Sequence, residues 1–217
     1  MPSPTWERLP AERKAAIIAA AEAEFAAKGY TRGSLNVVAR EAGVAKGSLF
    51  QYFDDKLDLF AFLCERASLR IGSSMAKITA ELDWPNDYFG SLSQWLTEWV
   101  KYFSQNPIDL GLTAAVNLEL DTHARIAVRD VVNRHYLAGL RRTVQRGLDC
   151  HAIRADADTE AAVALLLLVL PHVALAANLP GLDPLLNLDN DPSGGIERVV
   201  AILENALGSR CDGPAST

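Results

Sequence analysis

Small and polar side chains lie between residues 45 and 52, and their chemistry is hydrogen bonding and charge pairing. Gln51 can form two hydrogen bonds with an adenine edge, and Lys46 and Tyr52 can reach phosphates. Gly47 would be unfavourable inside an ordinary helix, but it lets a backbone approach another surface closely. On the outward face of a helix, these residues indicate a contact surface for DNA.

Two short helices joined by a tight turn are predicted to carry this surface, over residues 34–53. Gly43 can take the left-handed backbone that the turn at residues 42–44 requires. Ser34 is predicted to cap the first helix with its hydroxyl group. Three apolar residues are spaced to lock the two helices together: Val38, Val44 and Leu49. This pattern specifies a helix-turn-helix, whose second helix enters the major groove of DNA.

Apolar periodicity predicts helices along nearly all of the remaining chain. One helix is predicted to begin at about residue 10, and another begins at the capping pair Asp54-Asp55. Further helices are predicted over residues 88–103, 109–120, 122–150, 159–178 and 195–207. Gly29 is predicted to end the first of them. We therefore expect an all-α fold, with a three-helix helix-turn-helix domain at residues 1–56 and a larger helical domain at residues 57–217.

The net charge of −6 would oppose DNA binding if it were evenly spread. The segment 28–56 instead carries five basic residues and three acidic ones. The bases are Lys28, Arg32, Arg40, Lys46 and Lys56, and the acids are Glu41, Asp54 and Asp55. The predicted DNA surface thus lies in a positive segment of an acidic protein.

The cysteines and the apolar segments indicate in which cellular compartment the protein is expected. Cys64, Cys150 and Cys211 form no CxxC pair, so neither a zinc site nor a disulfide framework is indicated. The N-terminus resembles no secretion signal. The run 161–177 is at the short end of a membrane span and contains Pro171 and His172, so a helix buried in a core or subunit interface is favoured. We expect a cytoplasmic protein with no membrane partner.

An enzyme is a second class of function to consider. The sequence has no HExxH, GxSxG or P-loop motif, and no cofactor is expected. Glu119 and His123 would share a helical face at a spacing of four residues. They could bind a metal ion, but a solvated or hydrogen-bonded pair is favoured.

The run GYTRGSLNVVAREAGVAKGSLFQYFDDKLDLF, residues 29–60, resembles the DNA-binding domain of the TetR family of regulators. The resemblance implies a recognition helix at residues 45–52. It departs from the family at Phe50, where a tyrosine hydroxyl is usual, and at Ala45, where serine is frequent. The residues themselves and the resemblance together give these expected DNA contacts: Thr31, Arg32, Ser34, Arg40, Ala45, Lys46, Gly47, Ser48, Gln51, Tyr52 and Lys56.

The resemblance also implies what the helical body does. Helices 159–178 and 195–207 would form the interface of a homodimer that binds a palindromic operator. A small, mostly apolar or aromatic effector would release a repressor from that operator. A ligand-independent dimeric DNA-binding protein and an activator are the alternatives. The candidate effector-binding residues are Phe89, Trp95, Trp99, Tyr102, Phe103, Asn117, Leu118, Tyr136 and His172.

Overall fold

A computed structural model describes residues 2–209, so Cys211 lies outside the described residues. Within that range the chain forms ten α-helices and no β-strand, which confirms the all-α prediction. The helices are α1 (Pro4–Glu7), α2 (Ala11–Arg32), α3 (Leu35–Glu41), α4 (Lys46–Tyr52), α5 (Lys56–Glu81), α6 (Tyr88–Gln105), α7 (Pro107–Asn117), α8 (Thr122–Asp149), α9 (Thr159–Asn178) and α10 (Pro192–Leu207).

The predicted end of the first long helix at Gly29 is a kink in the structure. Gly29 has φ 69° and ψ −179°, a conformation that only glycine adopts readily. The chain then makes one further helical turn to Arg32 before Gly33 closes it with hydrogen bonds to the carbonyls of Gly29 and Tyr30. The break was correctly placed, but it reorients α2 and does not end it.

The described chain divides into two compact units. The first contains the residues up to Gly72 together with Phe103–His135, and the second contains Ser73–Tyr102 and the residues from Tyr136 onward. The predicted boundary at residues 56 and 57 is not a boundary of these units, because α5 begins there and continues into the second unit. A functional division at that point remains a prediction.

The first unit packs α2, α3, α4, α5 and α7 around one apolar core. Ile17, Ala21 and Phe25 on α2 are fully buried, as their shared helical face predicts. Arg70 on α5 adds a polar connection, because it pairs with Asp109 on α7 at 2.5 Å and with Glu22 on α2 at 2.8 Å. Asp109 is buried, so its ion pair fixes α5 against α7.

The second unit contains α9 and α10. Asp158 caps α9 by accepting a hydrogen bond from the Ala161 amide, and Asp191 caps α10 in the same way through the Gly194 amide. Among the described residues, α9 alone is long and apolar enough to span a membrane by length and composition. A core helix of a soluble protein has the same properties, and one side of α9 is buried in this unit.

Candidate nucleic-acid interface

The turn between α3 and α4 has the geometry of a helix-turn-helix. Gly43 has φ 65°, and the Val44 amide donates to the Ala39 carbonyl at 2.9 Å. Val38 and Leu49 are almost fully buried, so they join the two helices through the core. The sequence predicted this arrangement from residues close together in the chain.

Ser34 occupies the N-cap position of α3, but its hydroxyl group does not cap the helix. Instead, the Ser34 amide donates a hydrogen bond to the Glu24 carboxylate at 3.0 Å. The predicted side-chain cap is therefore wrong. Asp55 does cap α5, since its carboxylate accepts a hydrogen bond from the Asp58 amide at 2.8 Å.

One side of α4 is exposed, and its residues are mostly small or polar. This exposed α4 face consists of Ala45, Lys46, Gly47, Phe50 and Gln51. Ser48 is half-buried, and Leu49 is buried on the opposite side. A Cβ atom added to Gly47 would have no heavy atom within 4 Å, so the protein itself leaves open space beside that glycine. The shape and chemistry of this face suit close approach to a DNA groove.

Tyr52 does not belong to the exposed α4 face. Its side chain is only 5% exposed, and its ring packs edge-on against Trp6 with the ring centres 5.8 Å apart. The Tyr52 ring is therefore part of the core, and the phosphate contact expected of its hydroxyl group remains a prediction. The aromatic ring is needed in the core, where it supports the end of α4.

The short helix α1, which the sequence did not predict, supports α4. The Ser3 amide donates to the Tyr52 carbonyl at 2.9 Å, and the Ser3 hydroxyl donates to the Gln51 carbonyl at 2.6 Å. Trp6 is buried and also contacts Phe53 and Phe62, with ring centres 5.0 and 5.7 Å away. The available sequence signal was Ser3-Pro4, the typical start of a helix.

Lys56 lies at the start of α5 and is anchored to the end of α2. Its ammonium group donates to the carbonyls of Thr31 and Gly33 at 3.4 and 3.3 Å, and it lies 4.4 Å from the centre of the Tyr30 ring. Two of the three ammonium donors are thus engaged by carbonyl groups, and the phosphate contact of Lys56 remains a prediction. Arg40 is exposed and paired with Glu41 at 2.8 Å, and such surface pairs contribute little to stability.

Both hydrogen-bond donors of Thr31 are occupied within the protein. Its amide and its hydroxyl group donate to the Glu119 carboxylate at 3.2 and 2.6 Å. Both donors already have a partner within the protein, and the phosphate contact by Thr31 remains a prediction. Arg32, beside it, is exposed.

Glu119 lies before α8 and not on it, so it shares no helical face with His123. The predicted Glu119–His123 pair is thus wrong, because the Glu119 carboxylate faces Thr31. Among residues 2–209, no three His, Cys, Asp or Glu side chains are grouped so that they could hold a metal ion.

Hydrogen bonding sets the charge state of Glu119. Burial by itself would raise the pKa of Glu119, but hydrogen bonds from the Thr31 side chain and from the backbone of Asp121 and Thr31 lower it below its ordinary value. The carboxylate therefore stays ionised, which favours its hydrogen bonds to the end of α2.

Replacing Glu119 with glutamine is expected to cost about 1.5–3 kcal/mol of stability at pH 7, the value of hydrogen bonds to a charged group. Because the folded-state pKa of Glu119 is lowered, its contribution is complete above the ordinary glutamate pKa of about 4.3 and declines as the pH falls through the folded-state value. Denaturant unfolding of both proteins at pH 7 and pH 3.5 measures the difference.

The matched control is Glu41→Gln, because Glu41 forms only an exposed pair with Arg40. We expect this variant to match the wild type at both pH values. A stability gap for Glu119→Gln that is the same at pH 3.5 as at pH 7 would show that ionisation of Glu119 does not matter.

Several of the predicted effector-binding residues form an aromatic cluster in the second unit. The rings of Trp95 and Trp99 stack with their centres 5.6 Å apart, and Tyr136 meets Trp99 edge-on at 6.0 Å. The Trp99 indole N–H donates to the Leu170 carbonyl at 2.9 Å, and that of Trp95 donates to the Thr79 hydroxyl at 2.9 Å. The cluster is thus held by ring packing and by hydrogen bonds from both indole groups.

The remaining candidates are more scattered. In the second unit, Phe89 and Tyr102 are half-buried, and His172 is exposed with its ring nitrogen 2.8 Å from the Leu168 carbonyl. Three candidates lie in the first unit: Phe103, Asn117 and Leu118. The Asn117 side chain is bonded to Arg129 at 2.6 Å, so it already has a partner within the protein. Their effector-binding roles remain predictions.

Comparison with known proteins agrees with the helix-turn-helix geometry. Residues 17–63 match the family model for bacterial regulatory proteins of the tetR family. Over 76 residues the chain is 37% identical to the HTH-type transcriptional repressor BepR of Brucella suis. The aligned region covers 35% of this chain and 36% of BepR. The chain therefore aligns with about a third of the length of this curated relative.

Solved structures share the fold of the described chain. A TetR family transcriptional regulator from Chloroflexus aurantiacus matches with a TM-score of 0.64 at 22% identity, over 97% of this chain and 100% of that one. The regulator FadR from Bacillus subtilis, solved in complex with stearoyl-CoA, matches with a TM-score of 0.67 at 18% identity. This match covers 88% of this chain and 96% of FadR. The chain thus has the fold of TetR-family regulators. The match of residues 17–63 to the family model confirms the resemblance seen in the sequence.

Proposed function

We propose that this chain is a transcription regulator that reads its operator with α4. The observation that carries the proposal is the exposed α4 face, where Lys46, Gly47 and Gln51 project from a helix fixed by a buried core. Such a helix can enter a major groove and hydrogen-bond to base edges. Lys56, at the start of α5, supplies a positive charge for a neighbouring phosphate.

A homodimer through α9 and α10 is the second part of the proposal. Leu165 and Leu168 on α9 and Ile202 on α10 are 44%, 59% and 65% exposed. Exposed apolar side chains on two helices of one unit favour burial against a second copy. Two-fold symmetry would place two recognition helices about 34–36 Å apart, which matches the half-sites of a palindromic operator.

A small, mostly apolar or aromatic effector is the third part. The cluster of Trp95, Trp99 and Tyr136 is largely apolar, and Trp95 and Tyr136 are only half-buried beside the buried Trp99. The Bacillus subtilis FadR structure contains stearoyl-CoA, a ligand with a long apolar chain. We propose that such a ligand lowers operator affinity, so that the protein acts as a repressor without it.

Selection from a pool of random duplexes tests the DNA-binding proposal. The purified chain should enrich a palindromic sequence, and its affinity for that sequence should fall steeply as salt is raised. Enrichment of a single half-site would argue against the dimer. If ligand-stripped protein enriches no sequence at low salt, the proposal is wrong.

Titration of the selected operator complex with long-chain acyl thioesters and with aromatic acids tests the effector proposal. Release of DNA by one of these classes, weakened in Trp99→Ala, is the expected result. A protein that keeps the same operator affinity with every compound would be the ligand-independent DNA-binding alternative. Whether the bound protein represses or activates depends on the position of the operator and is read from a reporter gene.

A further inference from the structure

Phe50 is the one large apolar residue of the exposed α4 face. Phe50 is 49% exposed. The nearby residues Leu49 and Tyr52 are buried on the opposite side of the helix. Helical spacing puts Phe50 one turn after Lys46 and beside Gly47, close to the centre of the face. About half of this ring has no protein surface against it.

The chemistry of Phe50 limits what it can recognise. A phenylalanine ring has no donor or acceptor for phosphates or for the polar edges of bases. In the major groove, the only apolar group on a base edge is the C5-methyl group of thymine. The flanking glycine has no side chain to hold the ring away from a base.

From this placement we propose that Phe50 reads a thymine methyl group in each half-site, next to the base pair that Gln51 contacts. The inference rests on the proposed function, in which α4 lies in the major groove. It adds a requirement for thymine that polar contacts alone would not impose. Phe50 is thus a specificity-determining residue that acts by apolar contact.

Uracil scanning tests this inference on the selected operator. Each thymine is replaced in turn by deoxyuridine, which removes the methyl group and keeps the base pair. For the wild-type protein, one or two replacements in each half-site should weaken binding about fourfold, the factor for burial of one carbon atom. For Phe50→Ala, those same replacements should have no effect, while Phe50→Leu should keep part of the sensitivity.

The matched control is Leu69→Ala, which removes an apolar side chain of α5 that is 53% exposed. In this variant, each deoxyuridine replacement should weaken binding by the same factor as in the wild type. Thermal unfolding checks that each variant is folded. The inference is overturned if each deoxyuridine replacement changes the binding affinity of the wild type and of Phe50→Ala equally. It is also overturned if the selected operator has no thymine among the base pairs that α4 would contact. Failure to select any operator would instead count against the proposed function.

Discussion

Replacing Trp6 with alanine lowers the free energy of unfolding by about 3–5 kcal/mol, the usual range for removal of a buried tryptophan. The reason is that Trp6 is 4% exposed and touches rings on both sides of the α4–α5 junction. Its removal leaves a cavity among Tyr52, Phe53 and Phe62. Denaturant unfolding monitored by circular dichroism measures the loss, with a drop in Tm of about 6–20 °C for a chain of this size.

Trp6→Phe serves as the control, because it keeps a ring in the same space and should cost much less. A loss below about 1 kcal/mol for Trp6→Ala would mean that α1 detaches without affecting the core. In that case α1 could not be the support of α4 that its hydrogen bonds from Ser3 indicate.

Gly47→Ala should make the protein more stable and a weaker DNA binder. Alanine is favoured over glycine inside a helix by about 0.5–1 kcal/mol, and the added Cβ meets no protein atom within 4 Å. In the proposed complex with DNA, the added methyl group would occupy space that α4 needs for close approach. Overpacking of this kind costs about 1–3 kcal/mol, which weakens operator binding about 5- to 150-fold.

Gly139→Ala is the matched control for Gly47→Ala. Gly139 lies inside α8, and a Cβ atom there also meets nothing within 4 Å. Both variants should gain similar stability in thermal unfolding, but only Gly47→Ala should lose operator affinity in fluorescence anisotropy. Unchanged affinity for Gly47→Ala would show that α4 does not approach DNA closely at this glycine.

The helix-turn-helix was predictable because its determinants are local. Gly43 and the apolar positions Val38 and Leu49 lie within a short stretch, and each imposes a conformation or a buried face. The bounds of α9 were also predicted correctly, since Asp158 caps the start of a long apolar run. Local signals of this kind do not depend on knowing the tertiary structure.

Contacts between distant residues were beyond such reasoning. Glu119 meets Thr31 across 88 positions of the chain, so nothing near Thr31 in the sequence shows that its donors are occupied. In the same way, the burial of Tyr52 depends on Trp6, 46 residues earlier. For both residues, tertiary packing sets the hydrogen-bond partners or the burial of the side chain, and that information is not present in a local motif.

The most direct measurement is a pair of selections from random duplexes, one with the wild-type protein and one with Gln51→Ala. We expect both to enrich a palindrome, with the variant losing its preference at one base pair in each half-site, where discrimination worth about 1–3 kcal/mol is removed. Gln94→Ala, an exposed glutamine on α6, should reproduce the wild-type motif. An unchanged motif for Gln51→Ala would contradict base reading by α4.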